Sequence, residues 1–367
     1  FTGTSFVATF AAGEATTTLT IPITDDQVAE PDETIVLTLS EPSVGTVGTQ
    51  ATATVTITDS GEPTAPAEAP VASGAVIGTG LGASGLVEVL NADGTARLAF
   101  LPYGQDMLMG VKVAVGDVNG DGVDDIITAP GMFSSHVKVF DGATGAELQS
   151  FLAFDASFLG GISIASGDVN GDGKADIVVG TALGSSHVKV FDGANGAEMV
   201  SFYTSAGSVA GVNVALGDVN GDGRLDLVTG AATGLSYVKA FNLSNGQVLQ
   251  DFVAYRGFAG GVTVATADLD QDGAADIITG TATGSSHVKV FSGRSGTLVR
   301  SYLAFAPAFG GGVNVGARDV NGDGIPDVLV SGASGTDHTK FYDGVSGNQF
   351  NSFLAFGVGF TGGVFIG

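Results

Sequence analysis

Five nine-residue segments of this chain place carboxylate and amide oxygens at one fixed spacing. Four contain the run Asp-Val-Asn-Gly-Asp-Gly and one a close variant, and they start at Asp117, Asp168, Asp218, Asp268 and Asp319. Oxygen-bearing side chains occupy positions 1, 3, 5 and 9, position 7 can offer its backbone carbonyl, and the glycine at position 6 permits a sharp turn. The spacing matches the first nine positions of a calcium-binding loop, and such oxygen ligands suit Ca²⁺ better than Mg²⁺.

A simple hairpin is the alternative explanation, since Asp, Asn and Gly all favour turns. That explanation does not account for the charge, because three or four carboxylates within about 6 Å of one another repel strongly without a cation. A hairpin does not require such clustering, and here it occurs five times. We therefore interpret the segments as calcium loops.

Each acidic segment belongs to a repeat of 50 or 51 residues that is rich in strand-forming residues. In the copy that starts at Asp168, apolar or β-branched runs follow at 177–179, 187–191, 201–203 and 211–214. Four short strands in each repeat leave no room for a helix. Repeats of this length predict a β-propeller of four-stranded blades, because a stacked solenoid needs shorter units. The expected fold class is all-β.

The two ends of the repeat region indicate how the ring closes. Residues 74–78 align with the strand that follows an acidic loop, and residues 362–366 align with the strand that precedes one. Blade 1 would therefore take three strands from 75–103 and its fourth from the end of the chain. This closure removes two open sheet edges. It predicts six blades and five acidic loops.

Composition excludes several classes of function. The 367 residues include 13 basic and 38 acidic side chains, a formal net charge of −25, so binding of nucleic acid or of anionic membranes is not expected. No apolar run approaches the ~20 residues of a membrane helix. Cysteine is absent, which excludes disulfides and thiolate metal sites. The chain begins with Phe1 and shows no signal peptide, as expected for a processed protein or a fragment.

Composition also divides the chain into three regions. Residues 1–60 contain alternating β-branched runs, for example at 17–21 and 53–57, which predict strands of a small partial sandwich. Residues 61–73 are rich in Pro and Ala and predict a linker. Residues 74–367 are the propeller.

The pattern Asp-x-Asn-Gly-Asp-Gly-x-x-Asp followed by an apolar strand resembles the FG-GAP/VCBS repeats, best known from the propeller heads of integrin alpha subunits. The resemblance covers residues 74–367 and implies structural Ca²⁺ in the loop between the first two strands of a blade. The side-chain ligands that it implies are Asp117, Asn119, Asp121, Asp125, Asp168, Asn170, Asp172, Asp176, Asp218, Asn220, Asp222, Asp226, Asp268, Asp270, Asp272, Asp276, Asp319, Asn321, Asp323 and Asp327. The implied backbone ligands are Val123, Lys174, Arg224, Ala274 and Ile325. The loop at 268–276 departs from the pattern, with Asp at position 3 and Gln at position 4.

The N-terminal region resembles the last two-thirds of a Calx-beta domain, through Thr24–Thr34 and Ala53–Asp59. That resemblance makes Asp25, Asp26, Glu30 and Asp59 candidate ligands of a further Ca²⁺, with a solvated acidic loop as the alternative. The first strands of the domain are missing. We expect either a truncated chain or an exposed sheet edge that a neighbouring subunit fills in a filament or layer.

Other recurring side chains are expected to pack rather than to react. The four histidines, His136, His187, His287 and His338, share one repeat position that Leu86 and Tyr237 fill elsewhere, which favours a packing or rim role over a metal or catalytic ring. Recurring aromatics such as Phe154, Tyr255, Phe305 and Phe356 are expected between blades. Catalysis needs a locally unique constellation, and no hydrolase, phosphate-binding or zinc motif occurs, so no enzymatic activity is expected.

The function expected from these features is that of a calcium-stabilised structural or adhesion protein at the cell surface or outside the cell. Millimolar extracellular calcium suits loops that lack the bidentate Glu of position 12. The expected partner is a protein or glycan of the surface or matrix, and self-assembly through the incomplete sandwich is a further expectation. The alternatives are a carbohydrate-binding propeller and a non-catalytic module of a larger secreted enzyme.

Overall fold

The computed structural model describes residues 7–9, 33–40, 42, 44, 46, 47, 49, 51–57, 75–91, 95–357 and 359–367. The chain divides into two compact units, Phe1–Ala69 and Pro70–Gly367. In the first unit, β1 (Glu33–Thr38) pairs antiparallel with β2 (Thr52–Ile57). Strand β2 includes the strand predicted at 53–57. The strand predicted at 17–21, the linker at 61–73 and the predicted open edge of the sandwich lie outside the described residues.

The second unit consists of six four-stranded antiparallel sheets arranged in a ring, and the prediction of a six-bladed β-propeller is confirmed. Blade 1 contains β3 (Val76–Thr79), β4 (Val87–Leu90), β5 (Ala96–Phe100) and β26 (Val364–Ile366), and blade 2 contains β6 (Val111–Gly116), β7 (Asp125–Pro130), β8 (His136–Phe140) and β9 (Glu147–Leu152). Blade 3 contains β10 (Ile162–Gly167), β11 (Asp176–Thr181), β12 (His187–Phe191) and β13 (Glu198–Tyr203), and blade 4 contains β14 (Val212–Gly217), β15 (Asp226–Ala231), β16 (Tyr237–Asn242) and β17 (Val248–Val253). Blade 5 contains β18 (Val262–Ala267), β19 (Asp276–Thr281), β20 (His287–Phe291) and β21 (Leu298–Leu303), and blade 6 contains β22 (Val313–Arg318), β23 (Asp327–Gly332), β24 (His338–Tyr342) and β25 (Gln349–Leu354). The described residues include no helix that is long and apolar enough to cross a membrane.

Blade 1 joins the two ends of the propeller region. Strand β26 pairs antiparallel with β3, placing Val364 opposite Thr79 and Ile366 opposite Ile77. The predicted closure of the ring is therefore confirmed. Backbone hydrogen bonds between these strands replace two open sheet edges.

The core lies between the blades. The second strand of most blades is buried along its whole length, as in β7 and β11, because each sheet packs against a neighbouring blade on both faces. Its sequence is accordingly a continuous apolar run such as Ile126-Ile127. The fourth strands, such as β9, alternate between exposed and half-buried side chains because they form the outer edge.

Side chains on the first strands form a belt of hydrogen bonds around the axis. Each donor lies on one blade and each acceptor carbonyl on the next: Ser163 Oγ to Val212 O at 2.7 Å, Asn213 Nδ2 to Val262 O at 2.9 Å, Thr263 Oγ1 to Val313 O at 2.9 Å and Asn314 Nδ2 to Val364 O at 2.6 Å. In blade 2 the same strand position holds Lys112. The Nζ atom of Lys112 lies 5.6 Å from the centroid of the Phe365 ring, and none of the ion pairs in the described part of the chain includes Lys112. Burial lowers the pKa of Lys112 to about 8.

Replacing Lys112 by Met is expected to stabilise the protein at pH 7 by about 1–2 kcal/mol, because the charged ammonium is poorly solvated in the folded state. The pKa of Lys112 is lower in the folded than in the unfolded chain. The destabilisation by the charged ammonium is therefore at its full size below pH 8 and declines to zero as the pH approaches 10.5. Thermal unfolding of both proteins across this pH range measures the difference. As a control, Lys239→Met removes only a surface ion pair with Asp251 and should change little. An equal or lower melting temperature for Lys112→Met at pH 7 would contradict the prediction.

Candidate metal centres in the acidic loops

Each acidic segment connects the first strand of a blade to the second. The first loop (117–125) follows β6, the second (168–176) follows β10, the third (218–226) follows β14, the fourth (268–276) follows β18 and the fifth (319–327) follows β22. The ninth residue of each loop is also the first residue of the second strand, for example Asp125 in β7. Each loop is therefore anchored in the core of its own blade.

The carboxylate at position 1 organises the turn. In the first loop, Asp117 Oδ1 accepts a hydrogen bond from the Gly120 amide at 2.6 Å and Oδ2 accepts one from the Gly122 amide at 2.8 Å. The second, third and fifth loops repeat both bonds. Gly120 and Gly122 adopt φ values of 82° and 86°, a region that side chains with a Cβ disfavour. The glycines thus allow the loop to wrap around its own carboxylates.

The fourth loop differs from the others, as its sequence predicts. Gln271 occupies the position of the first loop glycine with a φ of 58°. Carboxylate oxygens of Asp268, Asp270 and Asp272 all lie within 4.8 Å of one another. Such a cluster of like charges favours a bound cation.

The carboxylate at position 9 is buried in all five loops. In the first loop, Asp125 Oδ2 accepts a hydrogen bond from the Val118 amide at 2.9 Å, and Oδ1 accepts one from the Gly142 amide at 3.0 Å. Gly142 belongs to the hairpin between the third and fourth strands. The second and fifth loops repeat this arrangement with Gly193 and Gly344. In these three loops both oxygens of the carboxylate have partners within the protein.

The third loop leaves two buried oxygens without a partner. Leu243 replaces the hairpin glycine, and Asp226 Oδ1 accepts no hydrogen bond, although Asp226 is completely buried. Asn220 Oδ1 at position 3 is also buried and unpartnered. Buried oxygens without partners are rare because they are costly. Both atoms are predicted metal ligands, so the residues of this loop fit a cation with oxygen ligands.

The pKa values of the position-9 carboxyls are raised. Burial raises the pKa of Asp226 to about 6, and the neighbouring carboxylates reinforce this effect. Burial also raises the pKa of Asp276 to about 6, with a further contribution from the nearby Asp270. Burial also raises the pKa of Asp125, Asp176 and Asp327. A divalent cation would reverse this effect by favouring the ionised carboxylates.

One set of polar residues beside the loops is not evident from the loop motif. Asp141, at the start of the hairpin between β8 and β9, has Oδ2 within 3.4 Å of Asn119 Nδ2. The same position holds Asp343, whose Oδ2 lies 3.5 Å from Asn321 Nδ2, and Asn242, which donates to the third loop. Asp141-Gly142 and Asp343-Gly344 are Asp-Gly pairs, which signal a turn in the sequence, but only the fold brings these hairpins to the acidic loops.

The histidines have the packing role that the sequence favours. Each ring lies against the aromatic ring that ends the preceding blade, with centroids 5.2–5.6 Å apart in the pairs Tyr103–His136, Phe154–His187, Tyr255–His287 and Phe305–His338. Each Nε2 lies 2.6–2.8 Å from a serine hydroxyl of its own blade. Burial lowers the pKa of all four rings. The recurring aromatics therefore join neighbouring blades, as the buried Tyr255 does by donating to His287 O at 2.9 Å.

A lysine two residues after each histidine completes this junction and was not indicated by any motif. Lys189 Nζ lies 5.1 Å from the centroid of the Phe154 ring, and Lys289 Nζ lies 4.8 Å from that of Tyr255. These are favourable cation–π distances.

The Calx-beta candidates Asp25, Asp26, Glu30 and Asp59 lie outside the described residues and stay a prediction.

Comparisons with known proteins agree with the motifs. A family model described as an FG-GAP-like repeat matches residues 117–179, 168–229 and 268–330, and a Calx-beta domain model matches residues 1–61. Integrin alpha-V of Gallus gallus is 32% identical over 81 residues, which are 21% of this chain and 8% of that protein. The crystal structure of the V. cholerae biofilm matrix protein Bap1 aligns with a TM-score of 0.39 and 21% identity, covering 66% of this chain and 39% of that one.

Replacing Asp226 by Asn is expected to stabilise the calcium-free protein at pH 7 by about 1–2 kcal/mol, because it removes a buried charge that has one unpartnered oxygen. The pKa of Asp226 rises from 3.8 in the unfolded chain to about 6 in the folded state, so the cost is absent below pH 3.8, grows as the pH rises from 3.8 to 6 and is complete above pH 6. Urea unfolding in a chelator at pH 3.5 and pH 7, on either side of the interval from 3.8 to about 6, measures both effects. The matched variant Asp125→Asn should be destabilised, since both carboxylate oxygens there accept amide hydrogen bonds. Equal responses of the two variants would contradict this account.

Proposed function

This chain belongs to the FG-GAP-repeat propellers and carries a Calx-beta domain at its N-terminus, and on that basis we propose that it is a calcium-stabilised structural or adhesion protein that acts outside the cell. The observation that carries the calcium proposal is the pair of buried, unpartnered oxygens of Asn220 and Asp226 in the third loop. Both atoms lie at ligand positions of the repeated motif. Oxygen donors of this kind select hard cations such as Ca²⁺.

Each of the five loops would hold one ion through its side chains at positions 1, 3, 5 and 9 and the carbonyl at position 7. The bound ion neutralises the clustered carboxylates. Five divalent ions would add ten positive charges and reduce the net charge from −25 to about −15. Because every loop leads directly into the buried second strand of its blade, the ions would stabilise the ring rather than drive a large conformational change.

An adhesive role needs a contact surface, and the end of the propeller opposite the acidic loops offers one. There the loops between second and third strands adjoin the loops that lead to the next blade, for example through Gly82 N to Leu108 O at 3.0 Å and Gly184 N to Val209 O at 3.2 Å. Exposed apolar side chains follow these loops around blades 1–4: Leu81, Leu108, Phe133, Leu159, Leu183, Val209 and Leu235. We call this set the apolar arc.

Phe133 is the most unusual member of the apolar arc. It is 53% exposed and has a φ of 63°, in a position where the other five blades have glycine. The left-handed region costs a residue with a Cβ about 1–2 kcal/mol. A strained and exposed aromatic side chain that breaks the repeat pattern favours a role in binding.

The charges around the apolar arc favour one kind of partner. The loops that carry it contain Asp106 and Asp155 and no lysine or arginine, and the loop after β17, which adjoins Leu235, adds one exposed arginine, Arg256. A second copy of this chain, with its net charge of −25, and an anionic lipid surface are both disfavoured by repulsion. We therefore assign the arc to an extracellular protein that presents apolar side chains flanked by Lys or Arg.

The remaining parts of the proposal concern location and catalysis. Loops of this kind bind calcium at the millimolar levels found outside cells. The repeated polar residues described above serve the junctions between blades and the acidic loops. We propose a non-catalytic module, with surface or matrix partners.

Carbohydrate binding is the second candidate function. Tyr203 and Tyr237 are exposed on adjoining blades, and the ring of Tyr203 stacks on His187 with centroids 4.4 Å apart. Tyrosine is enriched at binding interfaces because its ring is apolar and its hydroxyl is polar, and both properties suit a sugar ligand. A glycan array with the wild type and a Tyr203→Ala variant distinguishes this candidate from protein adhesion.

Removing calcium is expected to lower the melting temperature by many degrees, because ligands that bind only the folded state add their binding free energy to stability. Differential scanning calorimetry with calcium and with EGTA measures the shift. Asp172→Ala should lower the bound calcium by one ion per chain and leave the fold intact, since four loops remain. A melting temperature that does not respond to EGTA would overturn the calcium proposal.

Replacing Phe133 by Gly is expected to raise stability by about 1 kcal/mol while it weakens adhesion, because Gly relieves the backbone strain and removes the anchor. Thermal unfolding measures the first effect, and attachment of the source cells to protein-coated surfaces, with and without calcium, measures the second. Leu298→Ser removes an exposed apolar side chain from an outer strand and serves as the control. Unchanged attachment to the Phe133→Gly protein would exclude the apolar arc as the contact surface, and attachment no stronger than to an inert coating would contradict the adhesive role.

A further inference from the structure

One arginine spans two neighbouring acidic loops. Arg294 lies in the hairpin between β20 and β21, and its Nη1 donates to Asn220 O of the third loop at 3.4 Å. Its Nη2 donates to Asp272 O of the fourth loop at 3.0 Å, and its Nε lies 3.3 Å from Asp272 Oδ2. A planar guanidinium can hold such divergent acceptors at once, whereas an ammonium is a point charge.

This bridge occurs at one junction between blades. The equivalent hairpin position holds no arginine in the other blades with an acidic loop, where the residues are Ala143, Ala194, Ser244 and Val345. Gln250 of blade 4 fixes the hairpin by donating to Gly293 O at 2.8 Å. Asn220, Gln250 and Arg294 line a cavity of about 230 Å³. The arginine is thus placed by both blades.

A backbone hydrogen bond joins the same two loops. The Ala275 amide of the fourth loop donates to Asp218 O of the third at 2.6 Å. Asp218 is itself a predicted ligand of the third loop, and Ala275 lies between the predicted ligands Ala274 and Asp276, so the bond links the backbones of the two sites. The junction between the fourth and fifth loops lacks this link, because Pro326 occupies the equivalent position and has no amide hydrogen.

The third loop is also the loop whose ligand oxygens are incomplete without a cation. Asn220 Oδ1 and Asp226 Oδ1 are buried and have no partner, and Arg294 binds the carbonyl of the same Asn220. An ion in the third loop would therefore fix the residue that Arg294 holds. Through Arg294 it would also restrain Asp272, a ligand of the fourth loop.

We infer that the third and fourth loops bind Ca²⁺ as a positively coupled pair and that Arg294 is the positioning residue that couples them. The inference rests on the calcium sites proposed above. Filling one loop orders the shared guanidinium and backbone contacts, so the second ion meets a loop that is already ordered. Repulsion between the two ions is limited, because the loops contain seven carboxylates, and Arg224, Arg294 and two Ca²⁺ neutralise six of these charges.

Hydrogen–deuterium exchange of the full chain during a calcium titration tests the coupling, since peptides from each loop report its own midpoint. Disabling the fourth loop with Asp268→Asn should raise the calcium midpoint of the third loop about five- to tenfold. In Arg294→Lys, which keeps the charge and loses the planar fork, the same Asp268→Asn change should shift the third loop less than twofold. Disabling the fifth loop with Asp319→Asn is the matched control and should leave the midpoint of the fourth loop unchanged.

The outcomes separate the two proposals. If the loops gain protection with calcium but Asp268→Asn leaves the third loop unmoved, the coupling is wrong and the calcium sites stand. If Arg294→Lys retains the full shift, Arg294 is not the coupling residue. If no loop gains protection at millimolar calcium, both the calcium sites and their coupling are wrong.

Discussion

One buried carboxylate in each acidic loop connects the loop to the core of the propeller. The position-9 aspartate starts the second strand, which is the most deeply buried strand of its blade, and it also closes the turn by accepting an amide hydrogen bond from position 2. A carboxylate at such a position must be protonated, fully hydrogen-bonded or bound to a cation. How each loop satisfies its buried carboxylate therefore also affects the stability of the ring.

The loops differ in whether the second oxygen of this carboxylate has a partner within the protein. In the first, second and fifth loops a glycine amide from the neighbouring hairpin satisfies the second carboxylate oxygen. In the third loop, Leu243 replaces that glycine and the oxygen of Asp226 has no partner. Loops with nearly identical sequences thus differ in how far the protein itself satisfies the buried carboxylate, and the difference arises 17 residues after position 9 of the motif.

Much of the fold could be predicted because it depends on local repetition. The period of 50 or 51 residues, the apolar second strands and the unmatched strands at 74–78 and 362–366 required six blades and a closed ring, and the strand pairing confirms both. The packing role of the histidines followed from Leu86 and Tyr237 at the same repeat position. The recurring aromatics were expected between blades, but their partners there could not be predicted, because residues such as Lys189 and Phe154 meet only when neighbouring repeats are placed side by side.

The sequence by itself determined the nine-residue loops, the oxygen atoms that are predicted as ligands and the architecture that presents them, since spacing within one strand–turn–strand unit decides those features. Only the tertiary structure decided which ligand oxygens are already satisfied, that Arg294 reaches two loops, and that Phe133 is exposed on a strained backbone. The physical reason is that desolvation and hydrogen bonding depend on groups contributed by neighbouring blades. The repeated motif does not specify those groups. Residues that depart from the repeat, such as Leu243 and Arg294, remove or supply them.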